Sequence, residues 1–221
     1  MILPWSAIIL AGGKGNRMGT EKAFLRYNGS TFIELIAEEM HRVSNDVLIL
    51  IGTKCKAPFE SLLGSNRVRI ISDTYFLDNP LGGLLSALDH ISSEYFAVVA
   101  CDSPLVKAKV VRYLFDAAQG HSASVPIWDE QDRMSMEPLC AVYNTEESKR
   151  AIFEVIGEPR TGPKRMVMHL RDVRYVPVSE LRPLDPGIDS LLNINTPEDY
   201  LALIRRKEAH VPGTAIRSGG R

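Results

Sequence analysis

The chain of 221 residues is poor in the features that mark metal, disulfide or membrane proteins. Its three cysteines, Cys55, Cys101 and Cys140, are widely spaced, form no CxxC pair and have no histidine nearby at ligand spacing. That argues against a structural metal or a disulfide framework and predicts reduced, buried thiols in a cytoplasmic protein. The five histidines, at 41, 90, 121, 169 and 210, show no metal spacing and are read as structural or solvated. No apolar run approaches the roughly 20 residues of a membrane span. Residues 1–5 are too short for a signal peptide and lack its basic start. An excess of one charge is also missing: 26 Lys and Arg against 27 Asp and Glu give a net charge of −1, which points to neither nucleic acid nor an anionic membrane. No internal repeat or second domain boundary is visible. The length suits a single domain over 1–206, followed by an aperiodic tail over 207–221 that is predicted to be disordered.

Two familiar phosphate-binding signatures are missing too, and how they fail is informative. The P-loop needs Lys followed by Ser or Thr, but Lys14 precedes Gly15 and Lys22 precedes Ala23. The dinucleotide fingerprint GxGxxG is stretched to GxGxxxG at Gly13, Gly15 and Gly19. What is present, over residues 6–22, is SAIILAGGKGNRMGTEK: a buried apolar strand, a glycine-rich turn, and then Arg17 and Lys22. A tight strand-to-helix turn with incidental cations is the ordinary reading of a lone glycine cluster. Here four glycines and two cations follow directly on an apolar strand, and bare amides with cationic donors form a cradle for several phosphates. A nucleotide is the expected ligand.

Downstream, apolar strand patterns ending near Gly52, Ile71 and Ala100 alternate with amphipathic helical patterns. One helix is opened by a Thr31-x-x-Glu34 capping box and continues with Ile33, Ile36, Ala37 and Met40 on one face. Four β-then-α units predict an α/β fold, a Rossmann-like three-layer sandwich with a mostly parallel mixed sheet. The second half is less regular. Strands are expected over 123–127, 137–143, 174–178 and 191–195, and helices over 146–156 and 165–170. A last helix starts at Thr196-Pro197-Glu198-Asp199, with Thr as N-cap and Pro at N1.

Ligands of such sheets bind at the carboxyl ends of the strands, where Asp73 and Asp102 stand. A carboxylate beside a phosphate cradle calls for a cation between them. Mg²⁺ fits, because it is held by one or two carboxylates plus substrate phosphates. Asp102, ending a strand of six apolar residues, is the chosen metal ligand; alone, it would also read as an ordinary turn residue before Ser103-Pro104. Asp73 reads as a nucleotide contact or as a simple turn residue. Asn193 and Asn195 could hold polar ligand groups or satisfy turn amides. Lys164 and Arg165, in a glycine- and proline-containing loop, could meet an anionic group or only solvent.

LAGGKGNRMGTEK, Asp73 before NPLGG, CDSP, EPLCAVY and NINTPED together resemble the molybdenum cofactor guanylyltransferases, in register over about 7–205. The resemblance implies a fold of the nucleotide-diphospho-sugar transferase type. It also implies transfer of GMP from Mg²⁺-GTP to the phosphate of molybdenum-molybdopterin, with release of pyrophosphate. Leu10, Ala11, Gly12 and Gly13 would hold the guanosine end and the phosphates, Lys22 and Asp73 would contact GTP, and Asp102 would bind GTP and Mg²⁺. With Arg17 stabilising charge beside Lys22 and Asp102, those three are the catalytic set. Lys164, Arg165, Asn193 and Asn195 would lie on the pterin side. Expected partners are small-molecule substrates, with transient contacts to other cofactor biosynthesis proteins and acceptor enzymes. Two departures stand out: Asn79-Pro80-Leu81 replaces the family's Gly-Pro-Leu, and Thr53 stands where guanylyl members often place Asn near the base. The rivals are a cytidylyltransferase on the same cofactor, another small-phosphate nucleotidyltransferase, and a catalytically silent nucleotide-binding regulator. Ala11-Gly12-Gly13, where cytidylyl relatives more often read Ala-Ala-Gly, leans toward guanine.

Overall fold

Alternate residues of the central strands point to opposite faces of one sheet, and the helices cover both faces. The computed structural model describes residues 4–13, 21–64, 68–77 and 79–210, the last four by backbone alone. In chain order the elements are β1 (Ser6–Leu10), β2 (Arg26–Tyr27), β3 (Ser30–Thr31), α1 (Phe32–His41), β4 (Asp46–Leu50), α2 (Ala57–Leu63), β5 (Arg69–Ile71), α3 (Pro80–Leu88) and β6 (Tyr95–Ala100). The second half adds α4 (Ala108–Ala118), β7 (Ala123–Ile127), β8 (Cys140–Asn144), α5 (Thr145–Val155), α6 (Pro163–His169), β9 (Val173–Pro177), α7 (Val178–Leu181) and α8 (Pro197–His210).

Seven strands form one sheet in the order β5-β4-β1-β6-β8-β7-β9, and only β8 runs against the rest. Ala7 and Ile9 of β1 pack with Ile33 and Ile36 of α1 and Val110 and Leu114 of α4. Ile8 turns the other way, to Leu84 and Leu85 of α3 and Ile152 of α5. Period-two strands between helical stripes therefore give the expected three layers. All these side chains are essentially sealed from water, and cutting one of the Leu or Ile side chains back to Ala costs about 2–5 kcal/mol.

The helix starts follow their sequence signals. Thr31 Oγ1 accepts the Glu34 amide while a Glu34 carboxylate oxygen accepts the Thr31 amide, closing the capping box. At α8, Thr196 Oγ1 accepts the Asp199 amide and Asp199 accepts the amides of Asn195 and Thr196. That helix continues to His210, four residues past the boundary expected at Arg206.

Three expectations need correction. The segment over 191–195 is not a strand. A 3-10 turn at Asp189–Leu191 leads into an extended stretch that makes one bond to the end of β6, from the Ile194 amide to the Asp102 carbonyl at 2.8 Å. Its alternating apolar residues, Leu192 and Ile194, enter one small cluster with Phe32 and Leu203 rather than joining a ladder. β8 begins at Cys140 rather than at 137, since Pro138 has no N–H to offer a ladder. Buried thiols are found only in part: Cys140 is buried, Cys101 is intermediate and Cys55 is exposed, all three free. Among the described residues no helix is long and apolar enough to cross a membrane.

Candidate active site

The chain leaves β1 toward β4 and later returns, through β5 and α3, to place β6 on the opposite side of β1. The junction of β1 and β6 is therefore the topological switch point of the sheet, where diverging connections leave a crevice at the carboxyl ends. Leu10 and Ala100 are paired in register there, and the Leu10 carbonyl accepts the Cys101 amide at 3.0 Å. A cleft of about 550 Å³ opens at this point, lined by Leu10, Gly12, Gly13, Lys22, Lys54, Asp73, Asp102 and Asn195 among others.

The first wall comes from two glycines. A Cβ on Gly12 would lie 2.9 Å from the Gly52 nitrogen, and Gly52 has φ of +66°, which only glycine adopts freely. Their contact brings the ends of β1 and β4 together more closely than side chains would allow. The Gly52 amide donates to Asp73 Oδ1 at 3.2 Å, and its carbonyl accepts the Asp73 amide at 3.0 Å. Burial pushes the Asp73 carboxyl above its ordinary value, with the Gly52 amide opposing in part. Behind Asp73 stands Gly83 of α3, where a Cβ would lie 3.2 Å from Asp73 Oδ2. Asn79, at the position of the missing glycine, caps α3 by accepting the Leu81 amide at 2.9 Å.

The second wall is charged. Lys22 Nζ donates to Asp102 Oδ2 at 3.0 Å and to Asn195 Oδ1 at 2.7 Å, joining three segments distant in sequence. Lys54 Nζ donates to the Ala11 carbonyl at 2.6 Å and lies 2.8 Å from Glu21, so one ammonium holds the two ends of the glycine loop. Among the described residues no group of three His, Cys, Asp or Glu could cage a metal. Two carboxylates, Asp73 and Asp102, on a cleft with cationic and backbone donors fit a hard cation held by one or two carboxylates plus ligand phosphates, the ordinary manner of Mg²⁺.

The family model for the MobA-like NTP transferase domain matches residues 7–173, three quarters of the chain. The chain belongs to the MobA-like NTP transferase family. It is thus a nucleotidyltransferase with this family's α/β fold. Among its curated relatives, one from Methanosarcina acetivorans is named probable molybdenum cofactor guanylyltransferase. It is 39% identical over 208 residues, covering 90% of this chain and 89% of the relative. A protein of the same name from Clostridium perfringens is 32% identical over 205 residues, covering 92% and 98%. Among solved structures, molybdopterin-guanine dinucleotide biosynthesis protein A from Archaeoglobus fulgidus superposes with a TM-score of 0.76 at 26% identity, covering 92% of this chain and 99% of that one. A 4-diphosphocytidyl-2C-methyl-D-erythritol synthase from Anaerococcus prevotii shares the fold, with a TM-score of 0.70 at 14% identity over 92% and 96%.

Of the residues expected at the site of this MobA-like chain, Leu10, Gly12, Gly13, Lys22, Asp73, Asp102 and Asn195 line the one cleft. Ala11 is fully buried and offers only its backbone. Arg17 lies outside the described residues. Asn193 stands one step away, accepting the Ser103 hydroxyl at 2.8 Å. Lys164 donates to the Met134 carbonyl, and Arg165 is bound to Glu158 at 2.6 Å on the surface, so neither is brought to the cleft. Sequence reasoning missed Lys54. The only available signal for Lys54 was a cation just after the glycine that ends the second strand pattern.

Proposed function

We propose that this chain transfers GMP from Mg²⁺-GTP to the phosphate of molybdenum-molybdopterin, giving the guanine dinucleotide cofactor and pyrophosphate. The observation that carries this reading is the Lys22 ammonium between Asp102 and Asn195 at the β1–β6 switch point. It stands in a chain whose relatives are named molybdenum cofactor guanylyltransferases.

The acceptor phosphate has a second pKa of about 6 and is largely ionised near neutrality, so the reaction needs no side-chain base and no covalent nucleophile. The difficulty is bringing two anions together. An acceptor oxygen attacks the α-phosphorus, the new P–O bond forms, and the bond to the bridging oxygen breaks as pyrophosphate leaves. Lys22 and the amides of Gly12 and Gly13 bind the phosphates and face the charge that builds on the leaving group. Asp102 is the residue that would hold Mg²⁺, which when bound neutralises triphosphate charge. Asn195 fixes the Lys22 ammonium through its 2.7 Å hydrogen bond, and Asp73 contacts the nucleotide beside Gly52. The same reading places the reaction in the cytoplasm, with transient handover contacts to other cofactor biosynthesis proteins and acceptor enzymes.

The test is to supply the protein with Mg²⁺, molybdopterin cofactor and each nucleoside triphosphate in turn, measuring pyrophosphate. Release with GTP is expected. Release with CTP alone would replace the guanylyl reading by a cytidylyl one, and nucleotide binding without any release would favour a silent regulator.

A further inference from the structure

Beyond Asp102 the polar groups continue in one direction, away from the nucleotide cleft. Ser103 donates to Asn193 Oδ1 at 2.8 Å, and beyond it the Lys164 ammonium and the Asn193 side chain both act against burial to lower the pKa of the Glu137 carboxyl. Glu137 Oε1 accepts Trp128 Nε1–H at 2.8 Å, and the Trp128 residue is 47% exposed. The row Ser103, Asn193, Glu137, Trp128 thus runs from the proposed metal ligand to an open aromatic face.

The loop that carries Glu137 does not need its carboxylate. The Glu137 amide already bonds the Pro126 carbonyl at 2.9 Å, its carbonyl accepts the Cys140 amide at 3.2 Å, and the Trp128 amide reaches the Ser135 carbonyl at 3.3 Å. A carboxylate has about four acceptor positions, and the Trp128 indole N–H takes one, which leaves capacity for a ligand with two donors. Burial also pushes this carboxyl above its ordinary value, as expected of an acid kept short of water.

We infer that Glu137 is the specificity residue of the acceptor site, pairing with the 2-amino and N3–H edge of a 2-amino-4-oxopteridine that stacks on Trp128. The inference rests on the proposed function, in which the acceptor is a pterin with a phosphate at its far end. Such an acceptor carries its phosphate and its amidine edge at opposite ends. With the phosphate at Asp102 and Lys22, the amidine would point past Asn193 toward Glu137. Two parallel N–H donors match the two oxygens of a carboxylate, and two such bonds discriminate strongly against a ring that presents a carbonyl instead.

The probes are 2-amino-4-oxopteridine and 2,4-dioxopteridine, titrated into the full chain by fluorescence. The unmodified protein is expected to prefer the 2-amino ring by at least about tenfold, the usual worth of a charge-assisted hydrogen bond. Glu137→Gln should erase that preference while GTP affinity and circular dichroism stay as they were. Trp128→Leu should weaken both rings alike and leave their ratio unchanged. Equal binding of the two rings by the unmodified protein, an unchanged preference in Glu137→Gln, or undiminished binding in Trp128→Leu would each overturn the inference. Transfer of GMP to molybdopterin by the unmodified protein, measured alongside, separates the two readings. Transfer without any ring preference removes only the role of Glu137, whereas no transfer from GTP removes the proposed function and this inference with it.

Discussion

Lys22 Nζ lies 3.0 Å from Asp102 Oδ2, across the point where the sheet changes direction, with side chains only 17% and 21% exposed. The pair joins the segment after β1 to the end of β6, and the cleft between them belongs to neither strand alone. A lysine and an aspartate that met only each other would be a weak structural contact. Here both line a cleft that also contains the Gly13 backbone and Asn195, and the proposed function gives each of them a ligand to bind there.

Asp102→Ala should therefore abolish turnover, by at least about 100-fold, while leaving the fold intact. Lys22→Ala should raise the GTP dissociation constant and lower turnover together, because the ammonium serves both the bound triphosphate and the departing pyrophosphate. Calorimetric GTP titration and pyrophosphate release check both variants. Normal GMP transfer by Asp102→Ala would sink the metal assignment, and a normal GTP affinity in Lys22→Ala would remove that residue from the site.

Adjacent glycines are expected to behave in opposite ways. A Cβ on Gly12 meets the backbone of Gly52 at 2.9 and 3.1 Å, whereas one on Gly13 meets nothing within 4 Å. Gly12→Ala must push β1 and β4 apart, at a cost of about 1–3 kcal/mol. Gly13→Ala should melt like the unmodified chain but bind GTP more weakly, since its methyl group projects into the cleft. Thermal melts paired with GTP titrations would show this crossover; equal stability of the two variants would refute the close approach.

Asp73 is expected to trade stability for binding. Its folded pKa is raised above the ordinary 3.8, so the stability it lends is complete below that value and is lost as pH rises through the raised one. Asn at this position keeps an acceptor for the Gly52 amide without the cost of a desolvated charge. Asp73→Asn should match the unmodified chain near pH 3.8, become the more stable of the two at higher pH, and bind GTP less well. Melting curves across that range test the first part. A variant that is no more stable at neutral pH, and binds GTP normally, would make Asp73 an ordinary turn residue.

The parts of the site that were legible in the sequence come from strand ends. Asp102 stands just beyond β6, separated from it by Cys101, and the six residues of β6 include five buried ones, so its place at the sheet edge was fixed by the strand before it. Lys22 was legible by its distance from the glycines. Lys54 and Glu137 were not, for a geometric reason. Lys54 follows Gly52 with its positive φ, and Glu137, the residue inferred for the acceptor site, precedes β8, which runs backwards between β6 and β7. Neither a local backbone sign nor strand order is written in hydrophobic periodicity. The β2–β3 hairpin escaped for the opposite reason: Asn28-Gly29, with φ of +53° and +91°, is a recognisable turn signal, but its strands are two residues each and carry no pattern.

The last extended stretch of the site is supported from below by an ion pair. Asp185 is only 1% exposed, bonds the Lys107 ammonium, and accepts the Ser190 amide at 2.7 Å, while the Lys107 amide donates to Ser190 Oγ at 3.2 Å. These bonds hold the chain leading to Asn193 and Asn195 against the turn after Asp102. Burial alone would push the Asp185 carboxyl up, but Lys107 and Ser190 outweigh it and hold it below the ordinary 3.8. The stability it supplies is therefore present above that value and is lost as pH falls through the lower, folded one. Asp185→Asn should cost about 2–3 kcal/mol at neutral pH, because it leaves a partly buried ammonium with only the more distant Asp189, at 3.7 Å, as counter-ion. For a chain of this size that lowers the melting temperature by roughly 4–12 °C, and the gap should narrow as the pH is taken below 3.8. Turnover and GTP affinity should both fall, since the displaced segment carries Asn195, which holds the Lys22 ammonium. If the melting gap persisted undiminished in acid, the charge of Asp185 would not be what secures this segment.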